Sequence, residues 1–171
     1  RIMPVRVIGK GGGTSYDVLQ GVRYAAGLSN DSGTLPTKRA DIINLSLGCL
    51  NCFSATEQAL INQVRAAGVI VIAAAGNENT SQLGYPASYD GVVSVSAVAM
   101  DRTRAPYSNY GSTVDVAAPG GDTSRDSNAD GYADGVLSTL VSATGSADYR
   151  FYQGTSMATP HVAGVAALMK A

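Results

Sequence analysis

The sequence predicts an α/β fold, a parallel β-sheet with helices on both faces, and three observations lead to it. Apolar runs of strand length alternate with segments of helical periodicity, the pattern left by successive β-α-β units. The chain has 171 residues, 45% hydrophobic and 15% charged, which suits one sizeable core and a single domain over residues 1–171 and excludes a disordered tail. The segments after the strand candidates, residues 9–13, Ser46-Leu47-Gly48 and Gly76-Asn77-Glu78, are polar or glycine-rich. Open parallel sheets bind their ligands at the carboxyl ends of their strands, so a site is expected there.

Taken in order, residues 3–8 read as the first strand, and Val18, Leu19, Val22, Ala25 and Ala26 follow at the spacing of one helix face. Residues 42–47 form the second strand. Ser54 and Glu57 then make a Ser-x-x-Glu capping box that opens a helix carrying Leu60, Ile61 and Val64 and stopping near Gly68. Residues 69–75 return as the third strand, residues 92–98 and 113–118 are two more, and the last helix covers residues 157–169. No internal repeat or low-complexity linker interrupts this order. The chain begins without methionine, within a strand already under way, so further residues are expected upstream.

Charge and cysteine usage narrow the function classes. Twelve basic residues against thirteen acidic ones leave a formal net charge of -1, which provides no electrostatic footprint for nucleic acid or an anionic membrane. No apolar run approaches the ~20 residues of a membrane-spanning helix, and the N-terminus lacks the succession of a signal peptide. Cys49 and Cys52 stand close enough for a local bridge, the state a secreted protein favours. A redox Cys-x-x-Cys needs a thioredoxin-like context and a polarised thiol, and neither is visible. A metal site would need two more soft ligands, and the single histidine is far away in sequence.

The chemistry concentrates in Gly154-Thr155-Ser156-Met157-Ala158-Thr159-Pro160-His161-Val162-Ala163-Gly164. A serine at a loop-to-helix junction exposes its hydroxyl, and its backbone N–H joins the positive end of the helix, where developing negative charge is favoured. Alone, such a serine reads as an N-cap. The whole run resembles the nucleophile motif of the subtilisin-like serine proteases, which makes Ser156 the expected nucleophile. Residues 73–78, Ala-Ala-Ala-Gly-Asn-Glu, resemble the same family's oxyanion-hole segment. Asn77 would donate its side-chain amide to the oxyanion together with the Ser156 N–H. Residues around Ser156 do not read Gly-x-Ser-x-Gly, which excludes an α/β-hydrolase.

The resemblance reaches from Val5 to the last helix and implies a cleft for polypeptide substrates. Residues 43–48 match the strand end that pairs with an extended substrate, through Ser46, Leu47 and Gly48, and Gly11, Gly12 and Gly13 match the facing edge, so the substrate would lie as an added strand. Leu47 and Tyr16 fall at the walls of a distal subsite. Gly76 lies in the oxyanion segment, Gly84 at the floor of the primary specificity pocket and Glu78 at its mouth. The family's catalytic aspartate and histidine lie in motifs upstream of this sequence, and neither motif occurs here. His161 cannot replace the histidine, because five residues along one helix place it about 7.5 Å further on and about 140° round from Ser156. Asp115 belongs to a structural segment of the family.

Residues 120–136 form a longer loop than a minimal subtilisin has. Asp126, Asn128, Asp130 and Asp134, with Gly131, follow the early spacing of an EF-hand-like calcium loop, but Leu137 stands where its last glutamate belongs. Two readings stay open, a calcium site in a shorter Asp-rich loop and a solvated acidic turn. The resemblance further implies a secreted, extracellular zymogen with an upstream propeptide. It predicts that this chain alone is inactive. The rival readings are a peptide-binding pseudoprotease and a structural fragment with an exposed sheet edge.

Overall fold

The structure is a computed structural model and describes residues 1–142 and 144–171. Its elements in order are α1 (Ser15–Ala25), β1 (Ile42–Leu45), β2 (Cys49–Leu50), α2 (Ala55–Ala66), β3 (Ile70–Ala74), β4 (Gly84–Tyr85), β5 (Val92–Val98), β6 (Val116–Pro119), β7 (Val136–Val141), β8 (Ala147–Tyr152) and α3 (Thr155–Lys170). The main sheet runs β1-β3-β5-β6, and each neighbouring pair is parallel. Cys49 and Cys52 are joined in a disulfide.

Strand alternation sends successive side chains to opposite faces, and each face meets its own helices. On one face Ile43, Leu45, Val71, Ala73 and Val92 pack with Val22 and Ala25 of α1 and Leu60, Ile61 and Val64 of α2. On the other, Ile72, Val95, Ala97 and Ala118 pack with Ala158, Val162 and Ala163 of α3. The expected α/β sheet with helices on both faces is therefore present. The helix carrying the serine has a face of its own, and the other two share the opposite one.

Several boundaries differ from the sequence reading. Residues 3–8 form no strand; Gly9 and Gly12 make the nearest bridge. Met3 and Val5 still pack on the α1–α2 side of the core, so the apolar pattern reports burial without a ladder. β6 begins at Val116 and not near residue 113, because Val114 is held in a turn by the Gly111 carbonyl. The β7–β8 hairpin falls where no element was expected, and its side chains are almost all exposed, so it lacks the one-sided pattern that marks a strand.

The capping box lies elsewhere as well. At α1, the Thr14 hydroxyl accepts from the Asp17 N–H at 3.2 Å and the Asp17 carboxylate accepts from the Thr14 N–H at 3.0 Å, a complete box. At α2, Ser54 accepts from the Glu57 N–H, but the Glu57 carboxylate accepts instead from the Tyr89 hydroxyl at 2.9 Å. That hydroxyl accepts in turn from the Ser54 N–H at 2.9 Å. Burial, and then the hydrogen bond to Glu57, push the Tyr89 hydroxyl up to about 12.

Candidate active site

Helix α3 starts without a local cap. Gly154 precedes it at φ 148°, a conformation that side chains disfavour, and the first turn contains no acidic residue. The Gly154 N–H is fixed to the Gly120 carbonyl at 3.0 Å, just beyond β6. The Met157 N–H turns back to the Gly154 carbonyl at 3.0 Å, which leaves the Thr155 and Ser156 N–H groups without an acceptor in the helix, at the positive end of its dipole.

One of those groups is satisfied from another part of the chain. The Thr155 N–H donates to Asn77 Oδ1 at 2.8 Å and the Thr155 hydroxyl donates to the same atom at 3.0 Å. Thr155 is fully buried, and its Oγ1 also accepts from the Gly76 N–H at 3.2 Å. With Oδ1 taken twice, the Asn77 NH₂ is the end left to donate, and it makes no hydrogen bond among the described residues. The Ser156 N–H, in the same first turn, has no acceptor within its helix. Asn77 and Ser156 line one cavity of about 190 Å³, together with Leu47, Gly48, Gly76, Glu78 and Gly84.

Ser156 is coupled to Ser46 in both directions. Its hydroxyl donates to the Ser46 carbonyl at 3.3 Å, and the Ser46 hydroxyl donates to the Ser156 carbonyl at 2.9 Å. The second bond has a local cause. The Ser156 carbonyl should accept from the N–H four residues on, but that residue is Pro160, which has none. Ser46 supplies the missing donor, and the helix start is thereby tied to the end of β1.

The loop bearing Asn77 is held by Asn109, a buried residue that the sequence reading passed over. Its Oδ1 accepts from the N–H groups of Glu78 (2.9 Å) and Thr80 (3.2 Å), and its NH₂ donates to the Ala75 carbonyl (2.9 Å) and the Glu78 carboxylate (2.8 Å). Glu78 thus lines the cavity with one carboxylate oxygen engaged. Thr155 was likewise not singled out. Both act through contacts with residues far away in sequence. The one usable signal was a proline inside the helical run, which marks an orphaned carbonyl.

The other expected site residues separate into groups. A second cavity of about 250 Å³ adjoins the first across Leu47, Gly48 and Cys49, and Gly13 lies on its wall. Gly12 lines neither cavity. Tyr16, expected on the distal wall, is not brought there: its hydroxyl donates to Asp31, and Ser15, Val18 and Leu19 line the cavity in its place. Gly84 packs so closely that a Cβ would stand 2.8 Å from the Ala75 carbonyl. His161 donates from Nδ1 to its own helix's Met157 carbonyl at 2.8 Å, and Asp115 accepts from the Ser94 N–H at 2.8 Å, so neither serves Ser156.

The acidic loop does not converge. Asp126 accepts from the N–H groups of Asp130 and Gly131, the Asn128 NH₂ donates to Asp130, and Asp134 accepts from the Ser127 N–H. Among the described residues no three His, Cys, Asp or Glu side chains gather in a way that would hold a metal. In this arrangement the oxygens expected for calcium accept from the loop's own N–H groups.

The model of the subtilase family, peptidase S8, matches residues 1–171. An extracellular protease of Xanthomonas campestris is 39% identical over 99% of this chain, which spans 28% of that protein. A Paenibacillus polymyxa relative named an intracellular serine protease is 35% identical over 99% of this chain and 45% of its own. Among solved structures, a protease from Pseudoalteromonas arctica superposes with a TM-score of 0.88 at 45% identity, over 96% of this chain and 49% of that one. The chain thus spans between about a quarter and a half of the proteins it matches. No helix among the described residues is long and apolar enough to cross a membrane.

Proposed function

The chain belongs to the subtilase family, and on that premise we propose that it supplies the nucleophile, the oxyanion hole and the main substrate cleft of a secreted serine endopeptidase. The observation that carries this reading is the bond pair from Thr155 to Asn77 Oδ1, which leaves the Asn77 NH₂ and the Ser156 N–H as free donors beside one hydroxyl. Donors fixed before charge develops are what an oxyanion needs. Ser156 Oγ attacks a peptide carbonyl, and its proton passes to a base. The oxygen of the tetrahedral intermediate is held by the two N–H donors. Collapse expels the amine, and water then hydrolyses the acyl-serine.

The substrate enters as an extended strand along Ser46, Leu47 and Gly48, with Gly12 and Gly13 opposite. The side chain before the scissile bond occupies the cavity over Gly76 and Gly84, with Glu78 at its mouth. The base and its aspartate come from outside these residues, because the single histidine is bound to its own helix. On this reading the isolated chain is inactive, and an upstream propeptide assists folding of the whole protein. Secretion is supported by the Cys49–Cys52 disulfide and by the name of the Xanthomonas relative. Calcium, if bound by the acidic loop, would require the carboxylates of Asp126, Asp130 and Asp134 to converge on one point. The alternative reading is a pseudoprotease of the same fold, which would bind peptide without cutting it.

A fluorophosphonate probe on the full-length protein separates the two. Covalent labelling mapped to Ser156, abolished in Ser156→Ala, is the expected result. A folded full-length protein that takes no label would leave the pseudoprotease.

A further inference from the structure

The second cavity has a composition that a purely apolar subsite does not need. Val18, Leu19, Val22, Leu45, Leu60 and Ile61 make most of its wall, yet Glu57 also lines it. Among the described residues lining it, Glu57 alone is charged. Glu57 Oε2 is fixed by the Tyr89 hydroxyl, whose other bond runs from the Ser54 N–H, so the carboxylate is held in one orientation. Glu57 Oε1 makes no hydrogen bond and no ion pair among the described residues. The volume of about 250 Å³ is below the ~300–1,000 Å³ of small-molecule pockets, a size suited to one long side chain.

We propose that Glu57 is a specificity-determining residue, and that this cavity receives a substrate lysine or arginine some residues away from the scissile bond. The inference rests on the proposed function, because it takes the substrate to run between Gly13 and the Leu47–Gly48 edge that both cavities share. A lysine or arginine stem lies along the apolar wall while its cationic end reaches Oε1, the arrangement that long amphipathic side chains favour. In a largely apolar cavity a charge-assisted bond of this kind is stronger than at an open surface. A hydrophobic side chain of similar length fills the same wall and leaves the carboxylate without a partner.

The test is kcat/KM of the full-length protein on internally quenched peptides of one parent sequence, with lysine, arginine or norleucine placed at each subsite position in turn. At one position removed from the scissile bond, lysine and arginine are expected to exceed norleucine by about tenfold, the scale of one partly desolvated charge-assisted bond. Glu57→Gln keeps an oxygen to accept from Tyr89 while removing the charge. It should bring the ratio to about one, chiefly through loss of kcat/KM on the lysine and arginine peptides, with Tm unchanged. A Glu57 whose only task is to anchor Tyr89 predicts the wild-type ratio in Glu57→Gln, and that result overturns the inference. So does cleavage with no cation preference at any distal position, while leaving the proposed function standing. A protein that cuts no peptide and takes no fluorophosphonate overturns both.

Discussion

Helices α1 and α3 begin in opposite ways. α1 closes its first turn with its own neighbours, the Thr14 hydroxyl and the Asp17 carboxylate exchanging bonds three residues apart. α3 has glycine at that point and receives its acceptor from Asn77, on a loop beyond β3. A local cap consumes the helix's positive end for stability. A cap borrowed from a distant residue satisfies one N–H, leaves the next one open, and leaves the lender's other end without a partner beside the same cavity. On the proposed function Asn77 is both the cap of the serine helix and a donor to the oxyanion, so that stability and chemistry would meet in one side chain.

The largest expected effect breaks this double role. Asn77→Ala in the full-length protein should lower kcat by about 10² to 10³ with KM little changed, a range measured in a subtilisin and so carried over from the family. Because Asn77 is also the cap, the same variant should lose about 1 kcal/mol of stability. Steady-state kinetics beside a thermal melt checks both. A fall in kcat with no change in Tm would show that α3 does not depend on Asn77 for its start.

A smaller effect separates the starts of α2 and α3 by pH. The Ser54 N–H, the Tyr89 hydroxyl and Glu57 form one chain at the start of α2. The Tyr89 hydroxyl ionises near 10 when unfolded and at about 12 when folded. Its raised value means that the stabilisation is complete below pH ~10 and is lost as pH rises toward ~12, amounting to on the order of 2–3 kcal/mol. Denaturant melts between pH 9 and 12, read as about-unit steps, should show this loss in the wild type and not in Tyr89→Phe. Equal slopes in the two proteins would remove Tyr89 as its source.

The same contrast explains how much of the molecule was legible in its sequence. β5 was placed at its observed bounds because it is a central strand, paired on both edges and covered on both faces, so every residue reports burial. The β7–β8 hairpin was missed because backbone pairing holds it while its side chains stay exposed. In the site, Ser156 and Asn77 were legible as motif residues. The bonds that make them a pair were not, since Thr155 and Asn77 lie 78 residues apart and Ser46 and Ser156 lie 110 apart. Local pattern shows which residues are special, and tertiary contact decides which end of an amide is free. The capping box shows the limit of pattern from the other side. Ser54 and Glu57 have the right spacing, but Tyr89 offers the carboxylate a bond from a buried hydroxyl, and the box stays half formed.

The smallest effect tests the helix that caps itself. Thr14→Ala removes the acceptor for the Asp17 N–H and should cost about 1 kcal/mol, with kcat on peptide substrates little changed because Thr14 lines the second cavity and not the one that holds Ser156. The box also predicts how that loss varies with pH. The Thr14 hydroxyl, and then its N–H, hold the Asp17 carboxyl below its usual range. A depressed carboxyl stabilises the fold above its unfolded value and loses that contribution as pH falls through the folded one. The difference in Tm between wild type and Thr14→Ala should therefore be full at neutral pH and narrow below about pH 4. A gap that persists undiminished at low pH would place the whole cost in the hydroxyl's acceptor role. Loss of activity in Thr14→Ala at full stability would mean that the start of α1, on the wall of the second cavity, takes part in holding substrate.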